Sequence, residues 1–245
     1  MSAARAGSWN GLEIPAHGLA LSWLTFAAGC GAPSDGGFDA ARRAMVEEQL
    51  AARDIRDERV LAAMRKVPRH RFVSEEMAKF AYRDSPLPIG GGQTISQPYI
   101  VAFMTQALAL DGSEKVLEVG TGSGYQAAVL GECAREVCTI EIVEWLATRA
   151  EGLLVGLGYA NVRVRAGDGY AGWPDEAPFD AILVTAAPDH VPRTLVDQLA
   201  IGGRMVLPVG EREQELVLIE RTSQGTLRRA LLPVQFVPMT GRATR

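Results

Sequence analysis

Apolar positions recur along this chain at two periods, and the change of period marks its organisation. Phe38–Leu50 carries its apolar residues at helical spacing, through Phe38, Met45, Val46 and Leu50. A second helix opens with Asp57 as its cap, repeats through Val60, Leu61 and Met64, and is stopped by Pro68. Tyr82–Pro98 is rich in proline and glycine and reads as a loop, leading into a helix from about Pro98 to Leu110. From there short apolar runs near 115–119, 137–142, 161–165, 179–184 and 203–208 read as strands with helices between them. Such alternation predicts an α/β fold with a parallel sheet covered on both faces. Gln214–Glu220 and Leu227–Val237 are two strands with no helix between, so an antiparallel edge hairpin is expected. Residues 38–245 show no internal repeat and read as one domain.

The candidate chemistry sits where the first of these strands ends. Lys115–Val119 runs into Gly120-Thr121-Gly122-Ser123-Gly124, and a helix opens at Tyr125. Glycines at such a turn allow positive φ and let a ligand approach the backbone without meeting a Cβ. The spacing is GxGxG, with Tyr125 where a dinucleotide fingerprint would place its third glycine. Glu141 falls at the end of the second strand, at the separation expected of a carboxylate that grips ribose hydroxyls, and Gly167-Asp168 follows the third. Acids at the C-terminal ends of successive parallel strands face one crevice. The turn lacks the GxxxxGK[ST] form that cradles phosphates. Carboxylates in place of bases suit the cationic S-adenosylmethionine better than a dinucleotide. Glu118, also at a strand end, either orients the methionine part of that ligand or braces the turn.

Charge and composition narrow the picture further. The chain has 245 residues, 47% hydrophobic and 22% charged, with a net charge of −4 and no basic stripe, which argues against a nucleic-acid surface. Cys30, Cys133 and Cys138 form no CxxC pair, and the three histidines no cluster, so neither a disulfide framework nor a metal site is expected. Cys133 and Cys138 read as core residues. Residues 1–37 differ from the rest. The apolar run Gly18–Ala28 is too short to span a bilayer, and Ala27-Ala28-Gly29-Cys30 resembles a lipoprotein cleavage box. The competing reading is a disordered or mis-started extension. A ligand made in the cytoplasm favours a cytoplasmic protein over an exported one lipidated at Cys30.

Several segments together resemble the bacterial protein-L-isoaspartate O-methyltransferases: RKVPRHRFV (65–73), AYRDSPLPIGGGQTISQPYIVAFMTQAL (81–108), VLEVGTGSGY (116–125), GDGYAGW (167–173), FDAILVTAA (179–187), GGRMVLPVG (202–210) and VPMTG (237–241). The resemblance spans nearly everything from Phe38 onward. It implies a Rossmann-like class I methyltransferase fold. The implied reaction is transfer of a methyl group from S-adenosylmethionine to the free α-carboxylate of L-isoaspartyl residues in damaged proteins. Carried over by position, the active-site serine is Ser96. The cofactor contacts fall on Gln93, Thr94, Ile95, Ser96, the turn Gly120, Thr121, Gly122, Ser123 and Gly124, then Glu141, Gly167, Asp168 and Thr240. Some members of the family place Asp where Glu141 stands. Tyr99, Ile100 and Val101 replace a histidine-bearing stretch of animal members and inherit no role.

The residues suit this chemistry. An α-carboxyl acceptor has a pKa of about 3.3–3.7 and is ionised at neutral pH, so no general base is required. One or two neutral hydrogen bonds, such as a serine offers, would orient the anion without overstabilising it. Ser96 also fits a helix N-cap before Pro98, and the two roles can coexist. Asp84 reads as structural, and His70 and His190 as residues on or near the surface. Two other functions compete: methylation of a different acceptor, and a non-catalytic S-adenosylmethionine-binding lipoprotein module. No metal is expected, and the working form is expected to be a monomer with isoaspartyl proteins as its substrates.

Overall fold

Central strands that are apolar on both faces can only lie inside a sandwich of helices, and this requirement shapes the molecule. The computed structural model describes residues 37–242. The described residues lie within one compact unit. The leader readings, including Cys30, lie outside the described residues.

Helix α1 (Phe38–Ala44) continues into a π-helical segment, Met45–Ala51, and is followed by α2 (Glu58–Lys66) and the short α3 (Glu75–Ala78). Asp57 caps α2 as expected, accepting from the backbone N–H groups of Arg59 and Val60. The stretch read as a pure loop contains a small antiparallel hairpin, β1 (Leu87–Gly90) and β2 (Gln93–Ile95). Three successive glycines, Gly90 to Gly92, take positive φ at its tip. Helix α4 (Pro98–Leu108) follows with Gln97 as N-cap residue and no side-chain cap of its own. The Ser96 hydroxyl does not cap it. Asp84 does so from a distance, accepting from the Tyr99 N–H at 3.1 Å and from the Gln97 amide at 2.7 Å while pairing with Arg53 at 3.0 Å. The structural reading of Asp84 holds.

The main sheet contains β3 (Lys115–Val119), β4 (Glu136–Glu141), β5 (Val162–Ala166), β6 (Phe179–Val184), β7 (Leu199–Val209), β8 (Gln214–Thr222) and β9 (Gly225–Val234). Its order is β5-β4-β3-β6-β7-β8-β9, parallel from β5 to β7 and antiparallel at the β7–β8–β9 end. Helices α5 (Tyr125–Cys133), α6 (Glu144–Gly156) and α7 (Arg193–Gln198) join the parallel strands. Alternate strand residues feed two cores. Val116, Val137, Ala181 and Val206 pack with the N-terminal helices, α4 and α5, whereas Leu117, Cys138, Ile182 and Met205 pack with Leu195 and Leu199. Cys133 and Cys138 are buried, unpaired core residues, as their sequence context suggested.

Strand order sets the position of the site. The chain leaves β3 for β4 and β5 on one side, then returns to place β6 on the other. Ligands bind such sheets beyond the C-terminal ends of the strands at this reversal. Among the described residues no helix is long and apolar enough to cross a membrane.

Candidate active site

The turn after β3 carries only two small side chains, Thr121 and Ser123, so its neighbours largely decide its shape. Gly120, Gly122 and Gly124 all have positive φ. A Cβ on Gly120 would overlap the Thr185 hydroxyl, which donates to the Gly120 carbonyl at 2.6 Å. Glu141, buried at the end of β4, reaches across to this turn. One carboxylate oxygen accepts from the Gly122 N–H at 2.7 Å and the other from the Val143 N–H at 2.9 Å. Each oxygen retains acceptor capacity toward the cavity, which is what a pair of ribose hydroxyls requires.

Beneath the turn lies a second acid. Glu118 is fully buried, accepts from the Thr139 hydroxyl, and through it reaches the Thr121 hydroxyl, 2.6 Å from that of Thr139. Its other oxygen is buried without a partner. Burial, far more than the nearby Glu141 charge, pushes its pKa up to about 8 despite the Thr139 bond. Glu118 does not line the cavity; it lies beneath the turn, linked to Thr121 through Thr139.

The cavity over the turn is lined by Gln93, Thr94, Ile95 and Ser96 on one side and by Gly120, Thr121, Gly122, Ser123 and Glu141 on the other, with Thr240 at its margin. These residues come from four segments of the chain that meet at this cavity. Gly124, Gly167 and Asp168 do not line it. The Gly167 N–H donates to the Glu141 carbonyl, and Asp168 accepts from the backbone N–H groups of Tyr170 at 2.9 Å and Arg242 at 2.7 Å. Asp168 thus ties the C-terminal segment to β5, and Gly169 takes the lining position instead.

Sequence reasoning missed Ile142, Thr185, Ala186 and the tail residues Val237 to Met239, all of which line the cavity. Thr185 follows β6 just as the acids follow the earlier strands, so the same rule could have found it. Val237 to Met239 belong to the VPMTG segment of the resemblance, which pointed only to Thr240. The segment arrives through a parallel bridge between Ala187 and Pro238.

A second cavity adjoins the first and shares Thr94, Ser96, Thr185 and Val237 with it. Its remaining wall includes Pro86, Gln97, Ile100 and Pro233 to Phe236. Ser96 therefore stands on the wall shared by the two cavities. The hairpin that carries it packs on α6, where a Cβ on Gly90 or Gly91 would come within 3.1 or 3.2 Å of the Trp145 ring.

The histidines divide. His70, expected near the surface, is buried; its ring stacks on Phe38 at 4.3 Å and its Nδ1 lies 2.8 Å from the Tyr82 hydroxyl. An imidazole is half apolar surface and packs readily once one nitrogen has a partner. His190 is partly exposed beside Asp189. Neither lines either cavity. Glu136, Cys138 and Glu176 converge within 4.8 Å, but Arg163 pairs with both carboxylates and Lys115 with Glu176, each at 2.6 Å, so cations already occupy the place of a metal.

A parallel sheet of this order with an antiparallel edge, a glycine-rich turn and an acid on the next strand define a class I S-adenosylmethionine-dependent methyltransferase. Comparison with known proteins narrows the class. The family model for protein-L-isoaspartate(D-aspartate) O-methyltransferase matches residues 40–244. Protein-L-isoaspartate O-methyltransferase 2 of Shewanella sediminis is 60% identical over 207 residues, covering 84% of this chain and 85% of its own. The protein-L-isoaspartate O-methyltransferase of Gloeobacter violaceus is 57% identical over 198 residues, 80% of this chain and 97% of its own. Among solved structures, a protein-L-isoaspartate O-methyltransferase superposes with a TM-score of 0.77 at 29% identity, covering 82% of this chain and 67% of its own. A Plasmodium falciparum protein described as a putative member, in complex with S-adenosyl-L-homocysteine, gives 0.71 at 27% identity, with 81% and 98% covered. The chain belongs to the protein-L-isoaspartate(D-aspartate) O-methyltransferase family. It is an enzyme that uses S-adenosylmethionine to methylate L-isoaspartyl residues, and neither competing function is favoured.

The two acids make separable predictions. Glu141→Ala should weaken S-adenosylmethionine binding by about 1.5–3 kcal/mol, the scale of hydrogen bonds to a charged group, in a calorimetric titration. An unchanged dissociation constant would mean that the ribose lies elsewhere. Folded Glu118 keeps its proton to about pH 8, whereas its ordinary value is 4.5. The unfolded state therefore releases this proton first, and stability is lost as pH rises from about 4.5 to about 8. Glu118→Gln should remove that loss, an effect on the order of a few kcal/mol. Urea unfolding of both proteins at the two ends of the window checks it. A gap between them that does not change with pH contradicts the assignment.

Proposed function

We propose that the free α-carboxylate of the isoaspartyl residue is received at Ser96, with the flanking peptide in the groove lined by Pro86, Gln97, Ile100 and Phe236. The observation that carries this reading is the position of Ser96 on the wall common to both cavities. S-adenosylmethionine, when bound, supplies a methyl group on a positively charged sulfur. The glycine turn, Glu141 and Thr121 hold its nucleoside and amino-acid parts. Gln93 to Ser96 close over it from the hairpin.

The acceptor oxygen forms its bond to the methyl carbon as the carbon–sulfur bond breaks. The anion and the cation neutralise each other, and no proton moves. A site that excludes water favours this step, because separated ions are best solvated and the transition state is less so. The Ser96 hydroxyl holds the carboxylate with one neutral hydrogen bond, which orients it without draining its nucleophilicity. The neighbouring amide nitrogen then attacks the ester carbonyl, and the carbon–methoxy bond breaks as the nitrogen loses its proton, so that methanol leaves and a succinimide closes.

The domain from residue 38 to 245 carries the whole reaction, as a monomer acting on protein chains and on no nucleic acid. Its donor is a cytoplasmic metabolite, so the enzyme works in the cytoplasm.

Purified enzyme should methylate an isoaspartyl peptide and leave its normal aspartyl twin essentially unlabelled. Ser96→Ala should slow single-turnover methyl transfer while leaving the rate flat from about pH 6 to 7, far above the acceptor's pKa of about 3.3–3.7. Equal labelling of the two peptides, or a rate in Ser96→Ala equal to that of the parent enzyme, would refute the assignment of this serine and its acceptor.

A further inference from the structure

Directly behind Ser96 lies a charge that the reaction as described does not use. Arg69 is fully buried, and among the described residues no other Lys or Arg is buried. Its Nε donates to the Ala81 carbonyl at 2.8 Å and its Nη2 to the Ser96 carbonyl at 2.7 Å. Its Nη1 is buried with no hydrogen bond of standard geometry, and the nearby Tyr125 side chain helps to hold the charge. The Tyr125 ring, at the head of α5 and on the cavity wall, lies 4.8 Å from the guanidinium carbon. Among the described residues no carboxylate pairs with it. The field of Asp84 reaches it, but Asp84 is itself bound to Arg53 at 3.0 Å and to the Gln97 and Tyr99 N–H groups. Burial lowers the Arg69 pKa only to about 10, so the side chain is a cation at neutral pH.

Two carbonyls need two donors, not a positive charge. An ion buried without a counter-ion is costly, and a neutral donor could meet the same two acceptors. The charge is therefore a surplus in the resting protein, and it lies one hydrogen bond from the backbone of Ser96. An arriving carboxylate is the counter-ion that this site lacks.

We infer that Arg69 is a positioning residue whose positive field, acting from behind Ser96, makes the site select an anionic α-carboxylate over a neutral acceptor of the same shape. Standing behind the backbone, it attracts the anion without a charge-assisted hydrogen bond to the attacking oxygen. Such a bond would stabilise the ground state and slow transfer. In a poorly screened interior a unit charge acts over several ångströms. The inference rests on the reading that Ser96 receives the acceptor.

The test compares binding of two peptides to the enzyme saturated with S-adenosylhomocysteine: an isoaspartyl peptide, and the same peptide with its α-carboxylate converted to carboxamide. The wild-type enzyme should prefer the carboxylate by roughly tenfold or more. Arg69→Met should bring the two affinities within about threefold of each other while S-adenosylhomocysteine binding stays within about twofold, because only the interaction with charge is removed. Weakening of both peptides by the same factor would mean that Arg69 only shapes the backbone, and would overturn the inference. Should Arg69→Met fail to fold, Arg69→Lys decides. It keeps the charge and loses the fork, so the carboxylate preference should survive although overall affinity falls; loss of that preference overturns the inference. Ser96→Ala separates the two readings. Unchanged peptide binding and turnover there would remove Ser96 as the receiving residue, whereas the proposal for Arg69 falls only on the carboxylate-to-carboxamide ratio.

Discussion

A turn in which three residues of five are glycine has little side chain to hold it, so the shape of this active site depends on what the turn is bonded to. Here the bonds come from two acids, Glu141 on the neighbouring strand β4 and Glu118 on β3 itself. Glu141 clamps the Gly122 N–H from the end of β4, and the buried Glu118 holds Thr139, which holds Thr121. The turn is thus fixed to the edge of a sheet whose strands are packed on both faces. A ligand meets backbone that is already in place, and Glu141 has both of its oxygens aimed by main-chain donors before any ribose arrives. That is preorganisation: the ordering cost falls on folding rather than on binding.

From this anchor the rest of the site follows by topology. The return of the chain from β5 to β6 leaves a crevice at the ends of β3, β4 and β6, with Thr185 on its far wall. Two segments outside the nucleotide-binding core close it. The hairpin β1–β2 brings Gln93 to Ser96 over the turn, and the tail brings Val237 to Met239. Asp168 serves the second of these by bonding the Arg242 N–H, which makes a residue of ligand-binding aspect a strap for the C-terminal segment. Arg69 serves the first, tying the Ser96 and Ala81 carbonyls together.

Most of the sheet was legible because buried parallel strands announce themselves as short apolar runs. The strands read near 115–119 and 179–184 match β3 and β6, and β4 and β5 are each shifted by one residue at both ends. β7 was read from 203 but begins at Leu199, since Gly202 and Gly203 look like a turn inside what is a bent strand. The hairpin β1–β2 was hidden by Pro88 and three glycines, which weigh against a strand in any local reading. Its pairing is confined to three residue pairs. Within the site, residues at strand ends could be found by rule. Those that arrive over long sequence distances, the tail and Arg69, could not, because their partners are set only once the helices pack. Burial of His70 belongs to the same class: its surroundings come from Phe38 and Tyr82, far from it in sequence.

The central claim is that the glycine turn is held in its binding shape by Glu141 and receives the nucleoside without rearrangement. A crystal structure of the full chain with S-adenosylhomocysteine tests it most directly. The account predicts the Gly122 N–H still bonded to Glu141, the turn in its present conformation, and both ribose hydroxyls within about 2.6–3.0 Å of the same carboxylate. A turn that has left Glu141, or a ribose held by Asp168 or by Glu118, would contradict it.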